Sequence, residues 1–244
     1  MLPQVNIIRA KNADFLCFNE SAGISNVLAQ HGVWDEPTIH LAKTLINRIG
    51  LKLFIFDIGA KMYTFSIPIA RHIENLMGTV HYFEPQRIIY YQLCGNILLI
   101  CIDNIYAHNY ALFNTEYINY IKPLDFNKSW NIGDYSLSES IGNAQLLTEK
   151  FEKITFKLIS DFGFDDQITL IKIDVAGMEL EVLKEGLKLI SKNNFPPILF
   201  ESNNGDPKGP LVLQLMIEME YKISKYSDSD YLVQHPDFIA EMIS

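Results

Sequence analysis

The chain has 244 residues, a formal net charge of −9, 48% hydrophobic and 20% charged residues, which suits one large domain or one domain with a small appendage. Aromatic residues at 12% alongside that apolar fraction exclude intrinsic disorder, and 13 Gly with 10 Pro exclude a collagen-like or low-complexity chain. The acidic balance disfavours a broad grip on nucleic acid, which needs clustered Lys and Arg, so no nucleic-acid partner is expected.

Residues 1–50 read as an N-terminal appendage. Short extended patches, Gln4 to Ile8 and Phe15 to Phe18, precede a helix from Pro37 to Ile49, where Ile39, Ala42, Leu45, Ile46 and Ile49 recur at helical spacing. From residue 51 the pattern changes to short continuous apolar runs, each followed by an amphipathic segment. Leu53 to Phe56 ends in Asp57-Ile58-Gly59-Ala60, where Gly59 is expected to open a helix reaching about Leu76. Thr79 to Phe83 ends in Glu84-Pro85, and a second helix is expected through Cys101. Asn104 to Leu112 is a third extended run.

The segment from about Asn114 to Lys153, rich in Asn, Ser, Tyr and Gly, reads as an insertion that holds a short hairpin or faces substrate. Beyond it the rhythm resumes with a strand at Ile168 to Ile173 ending in Asp174, and a helix at Met178 to Ile190 whose Glu181 and Lys184 pair on the surface. A strand at Pro197 to Phe200 then ends in Glu201, followed by a helix at Leu211 to Glu220 and two short extended pieces. Continuous apolar runs are strands covered on both faces, so residues 51–244 form an α/β domain with a mostly parallel sheet and an antiparallel C-terminal strand.

The most apolar stretch, Ile88 to Ile102, is interrupted by Gln92 and Asn96 and falls short of the roughly 18 apolar residues of a spanning helix, so no membrane span is expected. The N-terminus lacks a signal-peptide pattern, and Cys17, Cys94 and Cys101 show no CxxC spacing. A cytoplasmic location follows, and Cys94 and Cys101, seven apart on the second helix, are expected to share a buried face. The six His residues show no ligand spacing, so no metal site is expected.

In an open parallel sheet the ligand site lies beyond the carboxyl ends of the strands, and Asp57, Glu84, Asp174 and Glu201 all stand there. One such acid is more often a cap or a turn residue; four on one rim carry more weight together. Glu84, 27 residues past Asp57, stands where Rossmann-like folds place the acid that accepts hydrogen bonds from ribose hydroxyls, which points to an adenosine-bearing ligand. The first loop lacks the GxGxxG spacing of nicotinamide dehydrogenases.

FDIGAKMYTFSIPIA, VHYFEPQ, NYAL, LIKIDVAGMELEVLKEG and PILFES, preceded by GVWDEPTIHLA, resemble in this order the successive motifs of the FkbM-type S-adenosylmethionine-dependent methyltransferases. The resemblance spans roughly Gly32 to Pro236 and implies a class I methyltransferase sheet, Rossmann-like and of about seven strands. It further implies S-adenosylmethionine as cofactor and O-methylation of a saccharide or other small hydroxylated acceptor. Asp57 and Gly59, with Ala60, Lys61 and Tyr63, would then flank the amino-acid end of the cofactor, Glu84 with Pro85 would hold the ribose, and Asn109 would face the adenine. Asp174 is the first candidate for the base that takes the acceptor's hydroxyl proton, and Glu201 the second.

Three positions depart from the resembled pattern: Lys61 stands where Asn is usual, Tyr63 where the last glycine of the loop is usual, and Ala176 where an acid is usual. The alternative is therefore a catalytically degenerate binding or scaffold protein on the same fold.

Overall fold

A computed structural model describes residues 4–19, 23–50, 52–59, 64–121, 151–162, 167–202 and 206–238. Strand β3 (Phe54–Ile58) is buried along its whole length, as a run of alternating Phe and Ile must be when both faces are covered. It pairs in parallel with β4 (Thr79–Phe83) on one side and with β9 (Leu170–Ile173) on the other. Beyond β4 lies β5 (Ile105–His108), and beyond β9 lie β10 (Ile198–Glu201), β12 (Asp230–Gln234) and β11 (Lys222–Lys225). The order β11-β12-β10-β9-β3-β4-β5 gives seven strands, with β12 antiparallel to both of its neighbours. The chain moves outward through β3, β4 and β5 before crossing to β9, so the carboxyl ends of β3 and β9 flank the switch point where this architecture opens a crevice.

Two cores cover the faces. Ile55, Val80, Tyr82 and Leu170 point into one, with α2 (Glu36–Ile49), α3 (Ser66–Ile73), α4 (Arg87–Leu99) and the hairpin of β1 (Val5–Arg9) and β2 (Asp14–Phe18). Phe54, Phe56, Ile171 and Ile173 point into the other, beneath α5 (Glu179–Lys192) and α6 (Gly209–Glu218). Period-two alternation along β3 puts Asp57 on the same face as Ile55, toward α2 and α3. The hairpin is held to α4 by hydrogen bonds from Asn96 Nδ2 and Gln92 Nε2 to the Leu16 carbonyl (3.1 and 2.8 Å). A short helix, α1 (Ile24–His31), joins the hairpin to α2.

Several local expectations are corrected. The helix after β3 begins at Ser66, so Gly59 does not open it. The extended run Asn104 to Leu112 is broken into β5 and β6 (Ala111–Leu112), because Asn109 Nδ2 donates to the carbonyls of Glu84 and Pro85 (2.9 and 3.0 Å) and bends the chain there. β6 leaves the main sheet to pair with β8 (Glu152–Lys157), which runs antiparallel to β7 (Tyr117–Ile121). Both ends of the expected insertion are thus strands, and residues 122–150 lie outside the described residues. Glu181 pairs with Lys208 at 2.6 Å rather than with Lys184. Cys94 is half-buried, but Cys101 lies past the end of α4 and is exposed, so the two share no buried face.

Candidate active site

The first part of the site is a buried charged centre between β3 and β9. Asp57 and Lys172 are register partners on these strands. Asp57 is fully buried, and its Oδ2 accepts a hydrogen bond from Ser66 Oγ at 2.6 Å. The Lys172 ammonium lies 3.8 Å from Asp57 Oδ1 and 3.4 Å from Asp174 Oδ2. Burial pushes the Asp57 carboxyl up to about 6, only partly opposed by the Lys172 charge and the Ser66 hydroxyl. Burial works against the Lys172 charge as well, but the carboxylates of Asp174, Asp57 and Asp35 outweigh it and hold the ammonium above its usual range. Asp35, half-buried at the start of α2, completes this set; burial raises its pKa. Thr38 Oγ1 donates to Asp35 Oδ1 at 2.5 Å and lies 3.1 Å from the Tyr226 hydroxyl, so α2 and the β11–β12 turn meet beside the centre.

The second part is the loop after β9. Gly59 approaches it so closely that an added Cβ would lie 2.3 Å from the Asp174 carbonyl oxygen, and Gly59 takes φ +75°. No other residue fits there. The loop turns through Ala176 (φ 51°) and Gly177 (φ 95°), a left-handed step that costs an alanine about 1–2 kcal/mol. It wraps a carboxylate: Val175 and Gly177 donate their N–H groups to Glu179 Oε1 and Oε2 at 3.1 and 3.0 Å. Burial raises the Glu179 carboxyl pKa, and these backbone donors partly offset that.

The third part is the end of β4. Glu84, 3% exposed, donates its backbone N–H to the His108 carbonyl at 3.0 Å, and its Oε1 accepts from the Gln86 N–H at 2.7 Å. Between these parts opens a cleft lined among others by Gly59, Glu84, Gln86, Tyr110, Asp174 and Met178.

Of the residues expected at the site, Gly59, Glu84, Pro85 and Asp174 line this cleft. Asp57 sits fully buried next to it, bonded to Ser66 and facing Lys172. Asn109 braces the Glu84–Pro85 turn from outside the lining. Glu201 ends β10 half-buried, opposite Asp230 of β12, and is not among the lining residues. Ala60, Lys61 and Tyr63 lie outside the described residues.

Sequence reading passed over Lys172, Glu179 and Asp35. Lys172 carried a usable signal, being the one cation in the apolar run Ile168 to Ile173. Glu179 carried a weaker one, as an acid opening a helix just after Gly177. Among the described residues, no group of three or more His, Cys, Asp or Glu side chains is arranged to hold a metal ion, and no helix is long and apolar enough to cross a membrane.

Among solved structures, the S-adenosylmethionine-dependent O-methyltransferase of Thermotoga maritima matches with a TM-score of 0.51 at 8% identity, over 93% of this chain and 76% of that one. A protein of Corynebacterium glutamicum matches with a TM-score of 0.50 at 11% identity, over 86% of each chain. The precorrin-6y C5,15-methyltransferase of Geobacter metallireducens gives 0.49 at 11% identity, over 87% of this chain and 92% of that one. No curated protein matches the sequence significantly. At these identities the likeness is one of fold, and the fold is the mostly parallel seven-stranded sheet of the class I methyltransferases. Residues 57–223 match the Methyltransferase FkbM domain. Since that match covers more than half of the chain and includes the switch-point loops of the cleft, the protein belongs to the FkbM methyltransferase family, whose cofactor is S-adenosylmethionine.

Proposed function

We propose that the protein transfers a methyl group from S-adenosylmethionine to an oxygen of a saccharide or other small hydroxylated acceptor. The observation that carries this reading is the convergence of Glu84, Gly59 and Asp174 on one cleft at the carboxyl ends of the strands. The residues present fit the cofactor. Glu84 supplies the acceptor oxygens that a ribose diol needs, and Gly59 lines the same cleft where it packs against the Asp174 loop. Asp57 and Gly59 stand at the end assigned to the amino-acid portion. When bound, the cofactor supplies an activated methyl group.

Asp174 then has the role of base for the acceptor hydroxyl. Asp174 is a lining residue of the cleft, and Lys172 anchors its Oδ2 at 3.4 Å, so the direction of the carboxylate is set before an acceptor arrives. Lys172 is in turn held by Asp57, which Ser66 orients from α3. Position 176 contributes only a methyl group and Glu179 is turned toward the backbone, so of the two acids in residues 174–179 Asp174 is the one that lines the cleft. Glu201, opposite Asp230, is the weaker candidate for base.

Calorimetric titration with S-adenosylmethionine and S-adenosylhomocysteine, followed by a labelled-methyl transfer assay over a panel of mono- and oligosaccharides, tests the reading. Asp174→Asn is expected to lower turnover by about 10²–10⁴-fold while cofactor affinity stays within about twofold. Absence of binding by either compound would leave the scaffold alternative, and turnover unchanged in Asp174→Asn would remove that residue as the base.

A further inference from the structure

Gln86 is the first residue past the Glu84–Pro85 turn and lines the cleft with its side chain only 6% exposed. Its backbone is fully used: the N–H donates to Glu84 Oε1 at 2.7 Å, and the carbonyl accepts from the Tyr90 N–H at 2.9 Å as α4 begins. The side chain does not cap that helix. Its Oε1 is buried and has no hydrogen-bond partner among the described residues. Gln92 and Asn104 also bury an unpartnered amide oxygen, but their amide nitrogens hold backbone carbonyls, that of Leu16 for Gln92 and those of Ala70 and Gly78 for Asn104. For those two a structural duty explains the burial. Gln86 has no such duty.

A buried acceptor left unsatisfied is destabilising, and a native protein keeps one where something outside the fold completes it. The surroundings define that something. Glu84, two residues earlier, is the acid suited to a ribose diol, and Pro85, Tyr110, Ala111 and Leu112 line the same cleft. A flat, largely apolar group with a hydrogen-bond donor on its edge fits such a lining. Resting on the reading of the cleft as a cofactor site, we propose that Gln86 Oε1 accepts a hydrogen bond from the exocyclic amine of adenine and makes the cleft selective for adenosine over analogues that lack that amine. Asn109, the residue first expected to face the adenine, instead spends its amide on the Glu84 and Pro85 carbonyls.

The test compares S-adenosylhomocysteine with its purine analogue, in which hydrogen replaces the exocyclic amine, by calorimetry on the whole chain. The native protein is expected to favour the adenosine compound by about 10-fold or more, since without the amine the buried Gln86 acceptor stays unpaired. Gln86→Met, of similar length and without an acceptor amide, is expected to bind S-adenosylhomocysteine about 10-fold more weakly and to distinguish the two by less than about threefold. Without ligand, Gln86→Met is expected to melt about 2–4 °C higher than the native protein, because an unsatisfied polar atom has been removed. A merely structural glutamine would give the opposite shift.

Equal affinity of the native protein for both compounds, or a preference for the one lacking the amine, overturns the proposal. So does a variant that loses affinity but keeps the native preference, which would give Oε1 a ribose hydroxyl instead. Failure of the native protein to bind either compound overturns the cofactor reading itself. The native comparison stands even if the variant does not fold.

Discussion

At the carboxyl ends of β3 and β9, three carboxylates, Asp35, Asp57 and Asp174, surround the single ammonium of Lys172. On the next two strands, His81 Nδ1 and His108 Nε2 lie 3.0 Å apart, His81 stacked on Tyr106 and His108 on Phe83. Both clusters are largely buried, but the first stays charged through mutual attraction and the second stays neutral through desolvation. Burial, aided by the other ring, lowers the His81 pKa to about 4, and burial lowers that of His108. The contrast follows the rim: the charged cluster adjoins the cleft at Asp174, whereas the neutral pair meets it only through backbone, where the His108 carbonyl holds the Glu84 N–H. A buried ion cluster is coupled, so its members cannot be removed singly without stranding the rest. A neutral pair can be.

The largest expected effect exploits that coupling. Lys172→Met keeps the length and apolar stem of the side chain but leaves Asp57 and Asp174 without their cation, and is expected to cost about 3–5 kcal/mol of stability in urea unfolding. His81→Phe, which preserves the stack and removes one neutral hydrogen bond, is expected to cost only about 1 kcal/mol near neutral pH. Similar losses in the two variants would mean that the Lys172 cluster is held together by packing rather than by charge.

The second effect lies in pH, where the two clusters act with opposite signs. Folded Asp57 keeps its proton up to about 6, whereas the unfolded chain releases it near the ordinary 3.8. Across that window the folded state binds more protons, so this term lowers stability as pH rises and levels off above about 6. His81 is the reverse: unfolded, it binds a proton below its ordinary 6.5, but folded only below about 4. Its contribution therefore rises with pH over nearly the same window and is lost in acid. The native protein is expected to show a shallow profile between pH 4 and pH 6.5, where the two slopes oppose each other. Asp57→Asn should uncover a steeper rise and His81→Phe a shallower rise or a fall, both read from urea midpoints at intervals of half a pH unit. Parallel profiles in all three proteins would mean that neither group carries a shifted proton.

Much of this arrangement was legible because strands covered on both faces announce themselves as short apolar runs. The ends of those runs put Asp57, Glu84 and Asp174 on one rim, and in the structure Glu84 and Asp174 line one cleft while Asp57 lies fully buried beside it. What could not be read depended on partners distant in the chain. The place of Asp35 follows from how α2 docks on the sheet, which its apolar stripe of Ile39, Ala42, Leu45 and Ile46 permits without specifying the contact between Thr38 and Tyr226. Glu201 looked equivalent to the other acids, but it ends a strand whose neighbour β12 runs antiparallel, so Asp230 stands opposite it. Asn104 to Leu112 looked continuous because apolarity does not record that Asn109 is drawn to the Glu84 turn. Lys172 was visible, but a lysine inside an apolar run reads as an interruption until the two acids beside it in space are known.

The smallest expected effect probes the outer margin of the charged cluster, where its coupling should fade. Tyr226→Phe removes the hydroxyl 3.1 Å from Thr38 Oγ1 and leaves the Thr38 donation to Asp35 in place. One neutral hydrogen bond of this kind is worth about 0.5–1.5 kcal/mol. Burial holds the Tyr226 phenol above its usual pKa range, so it remains protonated at any ordinary pH. The cost should therefore be the same at pH 5 and pH 8 within error. Thr38→Val differs in kind, because it takes from the half-buried Asp35 the hydroxyl that favours its ionised form. Its cost should exceed that of Tyr226→Phe and should shrink in acid as Asp35 takes up a proton. If Tyr226→Phe were instead the pH-dependent variant, the phenol would belong to the charged cluster, and the boundary between coupled and separable groups would lie one residue further out, on the β11–β12 turn.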